Sequence, residues 1–155
     1  MSTEELARRA IPYWQKAGLV GETVTEAEFE RLKAIMAPIQ ERIKVLSEVP
    51  EQTDIFFTED VAIDPDAAAK MLTPEIIPVL AKVYDRLAAL ETFTVPGLES
   101  ACRGLQEELN MKPKAVFQPI RVAVTGRTVS PPLFETMAII GKERTLKRLG
   151  KVIGR

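Results

Sequence analysis

Three polar side chains, Gln118, Arg121 and Thr125, recur at i, i+3 and i+7 inside KAVFQPIRVAVTGRTVSPPLFE, the stretch from Lys114 to Glu135. On a helix this spacing puts an amide, a guanidinium and a hydroxyl on one face. Those groups hydrogen-bond the edges of unpaired bases and their phosphates. An ordinary solvated polar face has the same spacing, so spacing alone leaves both readings open. Gly126 closes the segment and Arg127-Thr128 forms a basic loop. Ser130-Pro131-Pro132 then opens a further helix whose exposed amides would face an incoming anion. Beyond it, Arg144, Lys147 or Arg148, Lys151 and Arg155 recur at three- or four-residue steps opposite Leu146, Leu149 and Ile153. This is an amphipathic helix with a basic side, suited to phosphate contacts or to plain solvation.

Other chemistries are excluded by composition. With no His and a single Cys among 155 residues, the chain has no internal disulfide, no Cys/His zinc site and no His-based triad or general base. Cys102 lies in the apolar-periodic segment LESACRGL and reads as a buried structural thiol. Asp64 and Asp66 read as a helix cap and its first turn, not as an acid–base pair. No metal or catalytic residue is therefore expected. The net charge of −1 conceals a split. Residues 1–110 hold eleven basic and twenty acidic side chains, a net of −9, while residues 111–155 hold ten and two, a net of +8. A basic end of this kind points toward a polyanionic partner. No apolar run approaches the ~20 residues a membrane span needs, and the polar start MSTEELARRA is unlike a signal peptide. A cytoplasmic location without a membrane partner is expected.

The elements that must position these groups are helical. Ser2 to Glu5 and Thr25 to Glu28 fit capping boxes, and Asp64-Pro65, Thr73-Pro74 and Ser130-Pro131 each pair a cap residue with a proline suited to the first helical position. From Thr25 to Ser47, Phe29, Leu32, Met36, Ile39, Ile43 and Leu46 trace one face, with Pro38 expected to kink or split the helix near Ala37. After Thr73, Ile76, Leu80, Val83, Leu87 and Leu90 trace another. Residues 49–60 suggest a short helix or turn with Phe56 and Phe57 inward, residues 66–72 a short helix, and residues 96–109 a longer one. Local propensity at Val116 to Val124 leans toward strand because β-branched residues dominate. A helix also fits if Pro119 falls in its first turn, with Val116, Ile120, Ala123 and Val124 forming the apolar face. Helix-ending Asn110, Pro113 and the charge reversal suggest a boundary between a subdomain at 1–110 and a basic one at 111–155, packed together.

The segment FQPIRVAVTGRTVSPPLFETMAIIGKERTLKRL closely resembles the anticodon-binding region of bacterial glutamyl-tRNA synthetases, whose pattern runs QPLRVALTG, a loop, SPPLFE and GKERxLxRL. Glu41 to Glu48 is similar to that family's ER-x-K-T-L-x-E helix, and YDRLAALETFT (Tyr84 to Thr94) to its next landmark. The resemblance covers nearly the whole chain from about residue 5. It implies an all-α region of two packed helical subdomains, against the strand propensity at Val116 to Val124. It also implies RNA-binding residues. Arg42 would hydrogen-bond the third anticodon base of the glutamate tRNA, Gln118 and Arg121 the middle and first bases, and Ser130, Pro131 and Leu133 would pack against and bond those two. Ser130 stands where some members carry Thr. A guanidinium presents a planar donor fork able to address the O2 and N3 acceptors of cytosine, which a lysine cannot match.

For the parent enzyme the resemblance implies glutamate attachment to tRNA with ATP and magnesium. The chain itself carries neither a HIGH-type nor a KMSKS-type motif and no cofactor of its own. The expected partners are the anticodon loop and the catalytic domain of the same synthetase, with no DNA. This chain would be an excised fragment or a free-standing relative of that region. A competing expectation is a helical protein-interaction scaffold whose acidic first part and basic last part dock a partner without reading RNA.

Overall fold

Side-chain caps set four of the nine α-helix starts among residues 2–155, which the computed structural model describes. The order is α1 (Thr3–Lys16), α2 (Glu26–Ile39), α3 (Val49–Thr53) between two single 3-10 turns, α4 (Pro65–Met71), α5 (Ile77–Ala88), α6 (Val95–Glu108), α7 (Pro113–Thr125), α8 (Leu133–Ile140) and α9 (Lys142–Ile153). No strand occurs among the described residues, so the fold is all-α. Ser2, Thr25, Asp64 and Thr94 each accept a hydrogen bond from the amide three residues on, satisfying a donor that the helix leaves unpaired. The Glu5 carboxylate accepts from Arg9, and the Glu28 carboxylate from its own cap hydroxyl.

Two other starts lie later than the cap-plus-proline pattern predicts. Thr73 opens a turn, with the Ile76 amide donating to its carbonyl, and α5 begins at Ile77 with Pro78 in its first turn. Before α8, Pro132 occupies the cap position and Ser130 is spent on other partners. The long helix expected from Thr25 to Ser47 is split, ending at Ile39 just after Pro38. Residues 41–48, similar to a helix in the resembling family, are turn followed by a 3-10 turn at Leu46–Glu48. Val116 to Val124 is helical despite its β-branched content. Pro119 lies in the second turn of α7, not the first, because Pro113 already fills the first helical position. Pro12, Pro38 and Pro119 all sit inside helices, and each would free the carbonyl four residues back, on exposed Arg8, Ala34 and Ala115. Water can take those acceptors, which makes the interior prolines tolerable.

The chain divides by contacts into two compact units, one ending at Thr58 and the other Glu59–Arg155. The charge reversal near Asn110 falls inside the second. In the first unit, Ala7, Ala10 and Trp14 of α1 join Leu32, Ile35, Met36 and Ile39 of α2, with Val49 and Phe56, in a fully buried core. Its polar point is satisfied: Trp14 Nε1 donates to Thr53 Oγ1 at 2.8 Å, and that hydroxyl donates to the Val49 carbonyl at 2.6 Å. In the second unit, α5 packs most extensively on α9, α6 on α5 and α8, and α7 on α9 and α4. Leu80, Leu87, Leu98, Leu105, Ile120 and Leu149 fill it, together with Cys102, whose thiol burial pushes up to about 12.

Candidate functional site

The end of α7 is fixed by its last residue and by the loop behind it. That residue, Thr125, is buried, and its hydroxyl donates to the Arg121 and Arg127 carbonyls at 2.7 and 3.1 Å. Thr125 thus ends the helix and contributes no exposed hydroxyl to the expected polar face. Gly126 comes next with φ +80°, and a Cβ there would sit 2.2 Å from the Ala62 carbonyl oxygen. Only glycine combines that backbone conformation with so close an approach. The Gly126 carbonyl accepts from the Asp64 amide at 2.9 Å, fixing the loop's departure.

The loop then returns across α7, where Arg121 gathers it. Arg121 Nε donates to Gln118 Oε1 at 3.0 Å, while Nη1 donates to the Pro131 carbonyl at 2.9 Å and to the Ser130 hydroxyl. Gln118 Nε2 in turn donates to the Thr128 carbonyl at 3.3 Å. The Pro131 carbonyl also accepts from Thr136 Oγ1 of α8 at 3.2 Å. Gln118, Arg121, Ser130 and Pro131 are therefore one hydrogen-bonded cluster, with Leu133 at the start of α8. Burial separates them. Gln118, Arg121 and Ser130 are half-buried and reachable, whereas Pro131 is buried and Leu133 is 5% exposed. Arg42 lies in the first unit, exposed in the turn after α2, with its amide donating to the Ile39 carbonyl at 2.8 Å.

Gln118 matters through accounting. A primary amide has two N–H donors and two acceptor lone pairs. Arg121 and Thr128 engage one of each, which fixes the amide's orientation and leaves one donor and one acceptor. The free donor and acceptor could meet any partner that offers one of each.

The basic stripe of α9, continued by Arg155 beyond its end, is arranged otherwise than its sequence suggests. Arg144 pairs with Glu59 at 3.0 Å, Lys147 with Glu59 and Lys151 with Asp60 at 3.8 Å, and Arg155 with Asp85 at 2.7 Å. Arg148, only 2% exposed, donates to the Val124 carbonyl at 2.9 Å. The stripe faces acids of its own unit. Sequence reasoning also passed over two side chains, Val45 and Val129, which are 55% and 70% exposed. Each lies close in sequence to an expected base-reading residue, Arg42 or Ser130. Their signal was an apolar residue alone in a polar loop, which is weak by itself.

An anticodon binding domain model matches residues 5–153. The chain belongs to the anticodon-binding domain family. It is 43% identical over 148 residues to a glutamate–tRNA ligase of Symbiobacterium thermophilum, covering 96% of this chain and 30% of that protein. It is also 43% identical over 155 residues to one from Roseiflexus castenholzii, covering 99% and 31%. A solved glutamate tRNA ligase from Elizabethkingia meningosepticum shares the fold, with a TM-score of 0.85 at 21% identity over 99% of this chain and 29% of that one. This anticodon-binding domain is thus homologous to one region of glutamate–tRNA ligases, and spans about 30% of the length of the curated relatives it matches. Among its described residues no cluster of His, Cys, Asp or Glu could hold a metal ion, and no helix is long and apolar enough to cross a membrane.

Proposed function

We propose that this domain grips the anticodon loop of the glutamate tRNA, and that Gln118, Arg121, Ser130 and Arg42 read its bases. The single observation that carries the reading is Gln118, half-buried, held by Arg121 and Thr128, and retaining one donor and one acceptor for a base edge. Prior fixing of that amide lowers the entropy cost of ordering it on binding. Pro131 contributes through its carbonyl, which ties the loop to Arg121, and Leu133 through the packing that seats α8 behind the loop. Exposed Val129 and Val45 offer apolar contact to splayed bases beside Ser130 and Arg42.

Within a longer protein of the relatives' kind, the same grip would present the tRNA to a catalytic domain that attaches glutamate using ATP and magnesium, in the cytoplasm. On this reading the charge reversal near residue 110 marks where the segment bearing Gln118, Arg121 and Ser130 begins within the second unit, with Arg42 reading from the first. Filter binding of labelled stem-loops is the test. The reading expects a loop with the glutamate anticodon to bind tighter than loops with the middle or third base exchanged, each exchange costing about 1–3 kcal/mol. Equal affinity for all the loops would reject base reading and favour the scaffold.

A further inference from the structure

A cleft of about 420 Å³ opens in the second unit beside Gln118. Its walls are the end of α4, the turn before α5 and the start of α7. Met71, Ile76, Ala115 and Pro119 give it an apolar lining, and Lys70, Lys112 and Lys114 stand exposed around it. The size is that of a small-ligand site, within the ~300–1,000 Å³ typical of such clefts. These lysines differ from the bases of α9 and from Arg155 beyond its end. Arg144, Lys147, Lys151 and Arg155 each face a carboxylate, whereas among the described residues no carboxylate lies within ion-pair distance of Lys70, Lys112 or Lys114. Two of them flank the first residue of α7, where the helix dipole is positive and a cation is disfavoured. Three exposed ammonium groups without a carboxylate partner, gathered at one apolar cleft, are complementary to a phosphate-bearing ligand.

We infer that this cleft receives a nucleotide of the same single-stranded RNA loop outside the three anticodon bases, with Lys70, Lys112 and Lys114 on its flanking phosphates and its base against the apolar lining. The inference rests on the RNA-binding reading above and extends the interface to residues which that reading does not include. Gln118 lines both the cleft and the Arg121 cluster, so a strand can pass from one to the other without leaving the surface of α7.

The test uses the whole chain with the three lysines changed together to glutamine, and labelled anticodon stem-loops over a range of salt. Exposed lysines can be neutralised without disturbing the core. Lys82→Gln, exposed on α5 outside the cleft, serves as the control. The cleft predicts that the triple variant binds every loop at least about tenfold more weakly, with a salt slope smaller by roughly 2, since each single-strand phosphate contact contributes ~0.7. The preference for the glutamate anticodon should survive, and Lys82→Gln should bind as the parent does. If the parent discriminates anticodons and the triple variant binds with the same affinity and slope, the cleft is wrong while the base reading stands. If the parent binds no stem-loop at all, both fall.

Discussion

Gln118 and Arg121 join a structural part, visible in their hydrogen bonds, to the recognition proposed for them. Arg121 spends Nε on Gln118 and Nη1 on the Ser130–Pro131 backbone and hydroxyl, so removing it would loosen the loop and the amide at once. Arg42 belongs to the other unit. Its truncation, Arg42→Ala, is expected to cost about 1–3 kcal/mol of RNA affinity, concentrated at the third anticodon base. Binding curves for loops varied only at that base make the check. Cys102 belongs to the opposite class, with burial rather than a partner controlling its chemistry. Its thiol is pushed up to about 12 from an ordinary value of 9.0 because a thiolate would be desolvated. The folded form therefore holds the proton where the unfolded form releases it, so this group's contribution is intact below pH 9 and is lost as pH rises toward 12. The loss of stability between those limits should be smaller in Cys102→Ala, as read by urea unfolding at successive pH values.

At the scale of the element, α7 and its exit loop show how local rules were overridden. β-branched residues from Val116 to Val124 favour strand in isolation, yet Pro113 starts a helix and the apolar face is buried against α4 and α9. Gly126 then makes the turn possible. Gly126→Ala would force a Cβ to within 2.2 Å of the Ala62 carbonyl oxygen at a positive φ. It should destabilise the domain by more than the ~1–2 kcal/mol of a left-handed alanine alone, measured by chemical denaturation. Much of this fold could be read from the chain: the caps at Ser2, Thr25 and Asp64, the core stripe of α5, and Asn110 in a left-handed conformation after α6 all reflect local chemistry. The rest was decided by tertiary partners. Ser130 looks like a cap, but Arg121 and the Pro131 carbonyl claim its hydroxyl. Thr125 looks like part of a polar stripe, but the end of the helix buries it.

For the whole molecule, charge reads differently once it is counted over compact units. The unit ending at Thr58 carries seven basic and ten acidic side chains, and Glu59–Arg155 carries fourteen and twelve. The +8 segment at the end of the sequence is therefore largely offset within its own unit, chiefly where α9 meets Glu59 and Asp60. Removing those carboxylates by E59Q and D60N together should expose Arg144, Lys147 and Lys151 to phosphate. Affinity for any anticodon loop would then rise together with its salt dependence, while discrimination between loops falls or stays level. Salt titrations of the double variant and its parent make the comparison. The acids of residues 59–60 would on this account limit nonspecific attraction, leaving sequence preference to the Gln118–Arg121 cluster and to Arg42. The most direct test is a titration of the glutamate anticodon stem-loop into isotopically labelled protein, followed residue by residue. The account predicts that the Gln118 side-chain amide, Arg121, Ser130 and Arg42 respond, and that exchanging the middle base abolishes the Gln118 response. An unchanged Gln118 response with the exchanged loop, or a response confined to other surfaces, would contradict it.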